Sequence, residues 1–208
     1  MILEICQLKV KANISFSDPL LLAALCQARN QLREKVHDTN SRFYQCLEDP
    51  TLIYILGCWP SLSRHAEFLQ SPEKAEILDS QETLSDFGWV LHMEIGDNGM
   101  DALPLDAPVM AITRLFMKDG AEHVEACEEF EQKHRGVVGE RKRTWSVVNG
   151  WRMYCEEGEN EGVMITGWES MDEHEAFTER MRTEYPVHAE IVQYHERMEV
   201  RHVRNMES

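Results

Sequence analysis

Basic charge is scarce in this chain. Against 37 Asp and Glu it sets only 21 Lys and Arg, a net charge of −16. That balance argues against nucleic acid and against an anionic membrane as partners. Long apolar runs are missing too: none reaches the roughly 18 residues of a transmembrane helix. The start, MILEICQLKVKAN, lacks the basic-then-apolar pattern of a secretory leader. The expectation is a cytoplasmic protein. The cysteines Cys6, Cys26, Cys46, Cys58, Cys127 and Cys155 show no C-x-x-C or other zinc spacing. Their apolar contexts fit reduced thiols inside a cell. There is no glycine-rich phosphate loop and no dinucleotide fingerprint, so these patterns imply no metal, no nucleotide and no cofactor. The acidic stretches Glu128–Glu131 and Glu156–Glu161 read as solvated faces.

What the chain does have is a repeat. LIYILGCWPSLSRHAEF (Leu52–Phe68) meets GVMITGWESMDEHEAF (Gly162–Phe177) at an offset of 109 residues. Trp59 falls on Trp168, Ser61 on Ser170, His65 on His174 and Phe68 on Phe177. Cys46 falls on Cys155 and Glu48 on Glu157. Gly57 meets Thr166, with Gly167 one place later. A fixed-offset match implies two similar units, each of about 100 residues.

The periodicities order each half as β-α-β-β-α-β. Ile2–Lys11 alternates as a strand. Ser17-Asp18-Pro19 opens a helix running to about Val36. Arg42–Glu48 and Leu52–Cys58 form a hairpin around Asp49-Pro50. A helix from Leu62 breaks near Ser71-Pro72, and Trp89–Ile95 is the fourth strand. In the second half, Met110–Lys118 is a strand, Ala121–Lys133 a helix and Trp145–Glu156 a strand. That strand turns at Gly158-Glu159-Asn160 into Gly162–Trp168. Ser170-x-x-Glu173 is a capping box for the helix Asp172–Glu184, which Tyr185-Pro186 stops. Val192–Val203 closes the unit. Arg135–Arg143 is the one basic cluster. The expected division is therefore 1–96, a linker 97–108 and 109–208. The fold class is α+β: two tandem ferredoxin-like units. Leu52–Trp59 is apolar on both faces, which calls for cover on both sides. The two sheets facing each other, as an intramolecular dimeric α/β barrel, would provide it.

GCWPSLSRHAEF, VNGWRMY (Val148–Tyr154) and TGWESMDEHEAF together resemble the dimeric α+β barrel proteins of the antibiotic-biosynthesis monooxygenase type, in the fungal tandem form. The resemblance implies a cofactor-independent monooxygenase of secondary metabolism, working on a small apolar substrate (a polycyclic aromatic or a lipid-derived metabolite) with dioxygen. The same superfamily holds haem-degrading enzymes, isomerases, decarboxylases and proteins without known chemistry, so the fold leaves the function open. A homodimer of the fused chain is compatible with this reading.

His65 and His174 stand first among candidate residues. With Ser61 and Ser170 as N-caps, each falls in the first helical turn, where the helix dipole disfavours imidazolium. A neutral imidazole can accept a proton. Phe68 and Phe177 lie three residues on, on the same helix face, and Trp59 and Trp168 offer walls for a flat ligand. The competing reading is packing: a motif that repeats in both halves suits a structural lock. In the resembled enzymes an Asn, a Trp and a His line the pocket, and Asn149, Trp151 and His174 are the nearest set. They form the expected catalytic group, with Trp168, Phe177, Tyr154, Trp59, His65, Phe68 and Tyr54 as substrate contacts. Tyr44, Trp89 and His92 are further pocket candidates in the first unit. Alternative functions are a non-catalytic binding or scaffold protein and a cofactor-free cyclase or isomerase.

Overall fold

The computed structural model describes residues 1–139, 145–156, 159–184 and 192–207, with backbone alone at 131 and 133–139. The turn at Gly158, the Tyr185-Pro186 stop, Glu157 and residues 140–143 of the basic cluster lie outside the described residues. Two compact units emerge: Met1–Ala102 with Val203–Ser208, and Leu103–His202. Both are α+β, and each runs β-α-β-β-α-β, as the periodicities required.

In the first unit the strands are β1 (Ile2–Val10), β2 (Asn40–Cys46), β3 (Leu52–Trp59) and β4 (Ser85–Glu94), in the order β4-β1-β3-β2. All pairs are antiparallel, with Ile2 opposite Trp59, and Glu4 opposite both Gly57 and His92. Helix α1 (Pro19–Lys35) starts where expected. The Asp18 carboxylate caps the Leu20 amide at 2.9 Å, and Pro19 opens the helix. Its buried stripe, Leu21, Ala24, Leu25 and Ala28, meets Cys6, Leu8 and Ile53 on one sheet face. Leu3, Ile5, Tyr54, Leu56, Leu91 and Met93 are buried on the other. Each such Leu or Ile contributes about 1.5–3 kcal/mol. The helix after β3 is two pieces, α2 (Leu62–Gln70) and α3 (Glu73–Glu82). The break falls at Ser71-Pro72, where proline has no N–H to continue the ladder.

The second unit has β5 (Val109–Met117), α4 (Ala121–Gly139), β6 (Val147–Trp151), β7 (Glu161–Trp168), α5 (Met171–Glu184) and β8 (His195–Asn205), with strand order β8-β5-β7-β6. Val109 faces Trp168 and Ala111 faces Thr166. The expected strand Trp145–Glu156 is shorter: β6 ends at Trp151, and after the Arg152 amide donates to the Glu161 carbonyl at 2.8 Å the chain leaves the sheet. Tyr154 then takes a left-handed φ of 60°, a costly conformation for a bulky residue.

Two boundaries differ from expectation. The stretch 97–108 is packed: Gly99–Ala102 is a 3-10 turn, and Met100, Leu103 and Ala107 are buried. Gly99, at φ 53°, sits where a Cβ would press on the Met1 and Cys58 sulfurs. The last residues belong to the first unit. Val203–Asn205 pairs with β2, Met206 N–H donates to the Phe43 carbonyl at 2.9 Å, and Arg29 pairs with Glu207 at 2.7 Å.

Candidate functional site

The first unit builds a compact polar cluster where β3 hands over to α2. Ser61 caps α2 by accepting the Arg64 amide, and the His65 amide donates to the Ser61 carbonyl. This places the His65 ring against Trp59, centroids 4.4 Å apart, with Phe68 5.6 Å from the same indole. The cross-strand register then brings Glu4 and His92 to one row of one sheet face. Trp59 Nε1–H donates to Glu4 Oε2 at 2.5 Å, His65 Nε2 lies 3.3 Å from that oxygen, and His65 Nδ1 meets His92 Nε2 at 2.8 Å. Gly57 leaves the space: a Cβ there would stand 3.8 Å from Glu4 Oε2. With Glu4 ionised, His65 donates to it and accepts from His92. With Glu4 protonated, the direction of the line reverses. Burial pushes the Glu4 carboxyl up to about 7, an effect the Trp59 hydrogen bond partly opposes. Burial, and then the charge of His92, bring His65 down to about 4. The imidazole is therefore neutral at neutral pH.

The second unit repeats the stack with a different floor. Ser170 Oγ accepts the Glu173 amide, the first half of the expected capping box, while the Glu173 carboxylate takes the amide of Glu169, one residue before the cap. His174 stacks on Trp168 at 4.4 Å, Phe177 stands 5.1 Å from Trp168, and His174 Nδ1 meets His202 Nε2 at 2.8 Å. Where the first unit opposes Glu4 to Gly57, the second opposes Ala111 to Thr166. The threonine hydroxyl takes the Trp168 N–H at 2.7 Å. The two stacks also differ in access. His65 and Phe68 are 5% and 6% exposed, whereas His174 and Phe177 are only partly buried.

The other expected residues scatter. Asn149 and Trp151 lie on the sheet face of Trp168, opposite Met164 and Gly162. They therefore sit four and six residues along β7 from Trp168, about 13 and 20 Å at 3.3 Å per residue. They do not converge with His174 on one atom. The Trp151 N–H donates to Glu128 on α4 at 2.8 Å. Tyr154 is 76% exposed. Tyr54 is buried on the sheet face opposite Trp59, accepting from Gln7 at 2.7 Å and edge-on to Trp89. Tyr44 is likewise buried. His92 joins the first cluster. Glu4, Thr166 and His202 escaped the sequence reading. His202 pairs with His92 at an offset of 110, so a one-residue gap would have revealed it.

No family model and no curated protein matches this chain. Solved structures do. A protein provisionally assigned as a chlorite dismutase aligns with a TM-score of 0.67 at 11% identity, over 99% of this chain and 94% of its own. A provisionally assigned monooxygenase from Fusobacterium nucleatum gives 0.62 at 10%, over 99% and 92%. An anthrone oxidase-like protein gives 0.63 at 7%, over 99% and 91%. The fold is the ferredoxin-like α+β fold. At these identities the likeness carries no residue roles. For haem, which the sequence resemblance also raised, His65 is a poor axial ligand: its ring is 5% exposed and packed against Trp59, which leaves no room for a macrocycle beside it. Among the described residues no helix is long and apolar enough to cross a membrane.

Proposed function

We propose that this chain is an oxidoreductase of the monooxygenase type, free of cofactor, acting with dioxygen on a small, flat, conjugated molecule. One observation carries the reading: of two like stacks, the one at Trp168, His174 and Phe177 is the more open. His174 is held by His202 and by the indole, and in this reading its imidazole is the proton acceptor. The substrate lies along the sheet face from Trp168 towards Asn149, which contacts its far end, and Trp151 closes that face beyond it. The imidazole takes a proton from an activated CH2. The resulting anion passes electrons to dioxygen; one oxygen atom enters as a carbonyl and the other leaves as water with both hydrogens. The protein supplies orientation and exclusion of water. The tandem family form belongs with this proposal, supported by the repeat of tryptophan, serine, histidine and phenylalanine at one offset. Names of solved neighbours, a monooxygenase and an anthrone oxidase-like protein, point the same way.

Repetition of the stack in the first unit favours a second reading, a binding or scaffold protein in which both stacks are structural locks. Oxygen uptake separates the two. Chelator-treated full chain with anthrone-type substrates should consume oxygen, and His174→Ala should lower kcat/KM by about 100-fold or more. Turnover that needs added flavin or iron, or an unimpaired His174→Ala, would refute the proposal.

A further inference from the structure

The first unit's cluster is chemically different from the second's, and the difference is one carboxylate. Glu4, His65 and His92 each offer one ligand atom, and these atoms all lie within 4.8 Å of one another. They come from β1, the first turn of α2 and β4, so rigid elements hold all three. Two separations bear on the fit, at opposite nitrogens of His65: Glu4 Oε2 lies 3.3 Å from Nε2, and His92 Nε2 lies 2.8 Å from Nδ1. A tetrahedron with bonds of about 2.1 Å has edges of about 3.4 Å. An ion on His65 Nε2 finds its edge to Glu4 already in place, and the His92 ring, whose ligand atom lies within 4.8 Å of the others, must turn to supply the third donor.

We infer that Glu4, His65 and His92 form a binding site for a divalent late transition ion, with Zn2+ as the ion of choice. Two imidazoles and one carboxylate are borderline donors, matched to zinc and its neighbours and not to Mg2+ or Ca2+, which demand oxygen cages. The surroundings are those of a supported site. Trp59 Nε1–H donates to Glu4 Oε2, and its ring fixes the His65 plane, the outer-shell orientation that metal ligands need. Among the described residues no lysine or arginine pairs with Glu4; its partners are an indole and an imidazole. A dication would neutralise that carboxylate and take the place of the proton between it and His65. The second unit serves as the built-in control. It keeps the tryptophan and both histidines, but Ala111 stands where Glu4 does and Thr166 occupies the indole N–H. Sequence spacing could not announce the site, since its ligands are separated by 61 and 27 residues.

The inference is independent of the oxygenase reading. Full-length protein, freed of metal by chelator, is titrated with Co2+ and then with Zn2+. One equivalent of Co2+ should give the visible d–d bands of a tetrahedral nitrogen and oxygen site, without a thiolate charge-transfer band, and Zn2+ should displace it. Glu4→Gln and His92→Ala should each weaken binding at least 100-fold, and Trp59→Phe, which keeps every ligand, about 10-fold. His174→Ala should bind as the parent does. Circular dichroism establishes that each variant is folded. A parent protein that takes up no stoichiometric metal, or uptake unchanged in folded Glu4→Gln and His92→Ala, would overturn the assignment. Neither result bears on oxygen consumption.

Discussion

Replacing Glu4 by glutamine should stabilise the metal-free protein in mildly alkaline solution, although it removes a hydrogen-bonded group from the core. The carboxyl is 14% exposed and burial raises it from 4.5 to about 7. Below pH 4.5 it is protonated in the native and the unfolded chain alike, and adds no pH dependence. Between 4.5 and 7 the unfolded chain gives up the proton while the native carboxyl keeps it, so native stability falls as pH rises. Above 7 the full penalty stands, about 3 kcal/mol at 1.36 kcal/mol for each tenfold change in proton affinity. The groups facing Glu4 are Trp59 on β3, His65 on α2 and His92 on β4, with the Cys6 thiol two residues along its own strand. His65, lowered to about 4, slopes the other way: its contribution is intact above 6.5 and is lost as pH falls towards 4. That slope is common to both proteins and cancels to first order in their difference. Urea unfolding of parent and Glu4→Gln, with chelator present, at pH 4.5, 6 and 8 gives that difference directly. It should grow by about 2–3 kcal/mol in favour of the variant from the lowest pH to the highest. A difference flat with pH, or a parent more stable at pH 8, would refute the account of Glu4 as a buried, reluctantly charged acid.

Two further outcomes follow from packing. At Gly167 a Cβ would meet the Trp145, Ala107 and Pro104 side chains at 2.7–2.9 Å, whereas at Gly57 the nearest atom is 3.7 Å away. Gly167→Ala should therefore cost about 1–3 kcal/mol in urea unfolding and Gly57→Ala less than about 0.5; equal costs would contradict the packing described. Of the six cysteines, Cys26 and Cys155 are partly exposed and the others buried, with burial raising the thiols of Cys6, Cys26, Cys46, Cys58 and Cys155. A thiol reagent at pH 8.5 should modify those two in native protein and all six in urea, as intact-mass measurement will reveal.

How much was legible in the sequence depended on how local each feature is. Trp59, Ser61, His65 and Phe68 span one strand end and one helical turn, so a fixed spacing fixes their geometry, and the same holds for Trp168 to Phe177. The α1 cap and the break at Pro72 are equally local. Glu4 carries no such signal. It is one charged residue in an alternating strand, and only the register of β1 against β3 and β4 places it beside His65. The exchange of Glu4 and Gly57 for Ala111 and Thr166 is likewise invisible along the chain, because each pair joins two strands. For Asn149 and Trp151 a two-residue spacing puts both on one sheet face but says nothing of the distance along it. Tyr154 falls within the expected strand Trp145–Glu156, while β6 ends at Trp151 and the backbone turns away.

Residues 203–207 complete a structure begun by the first strands. Strand β2 gains its outer neighbour only from Val203–Asn205, and Arg29 its acidic partner only from Glu207. A cut between 102 and 103 would thus not yield two self-sufficient halves, since the leading piece would emerge with a bare sheet edge open to aggregation. During synthesis that edge stays unsheltered until residues 203–205 have been made, so the first unit reaches its final form only after the whole of the second has been made.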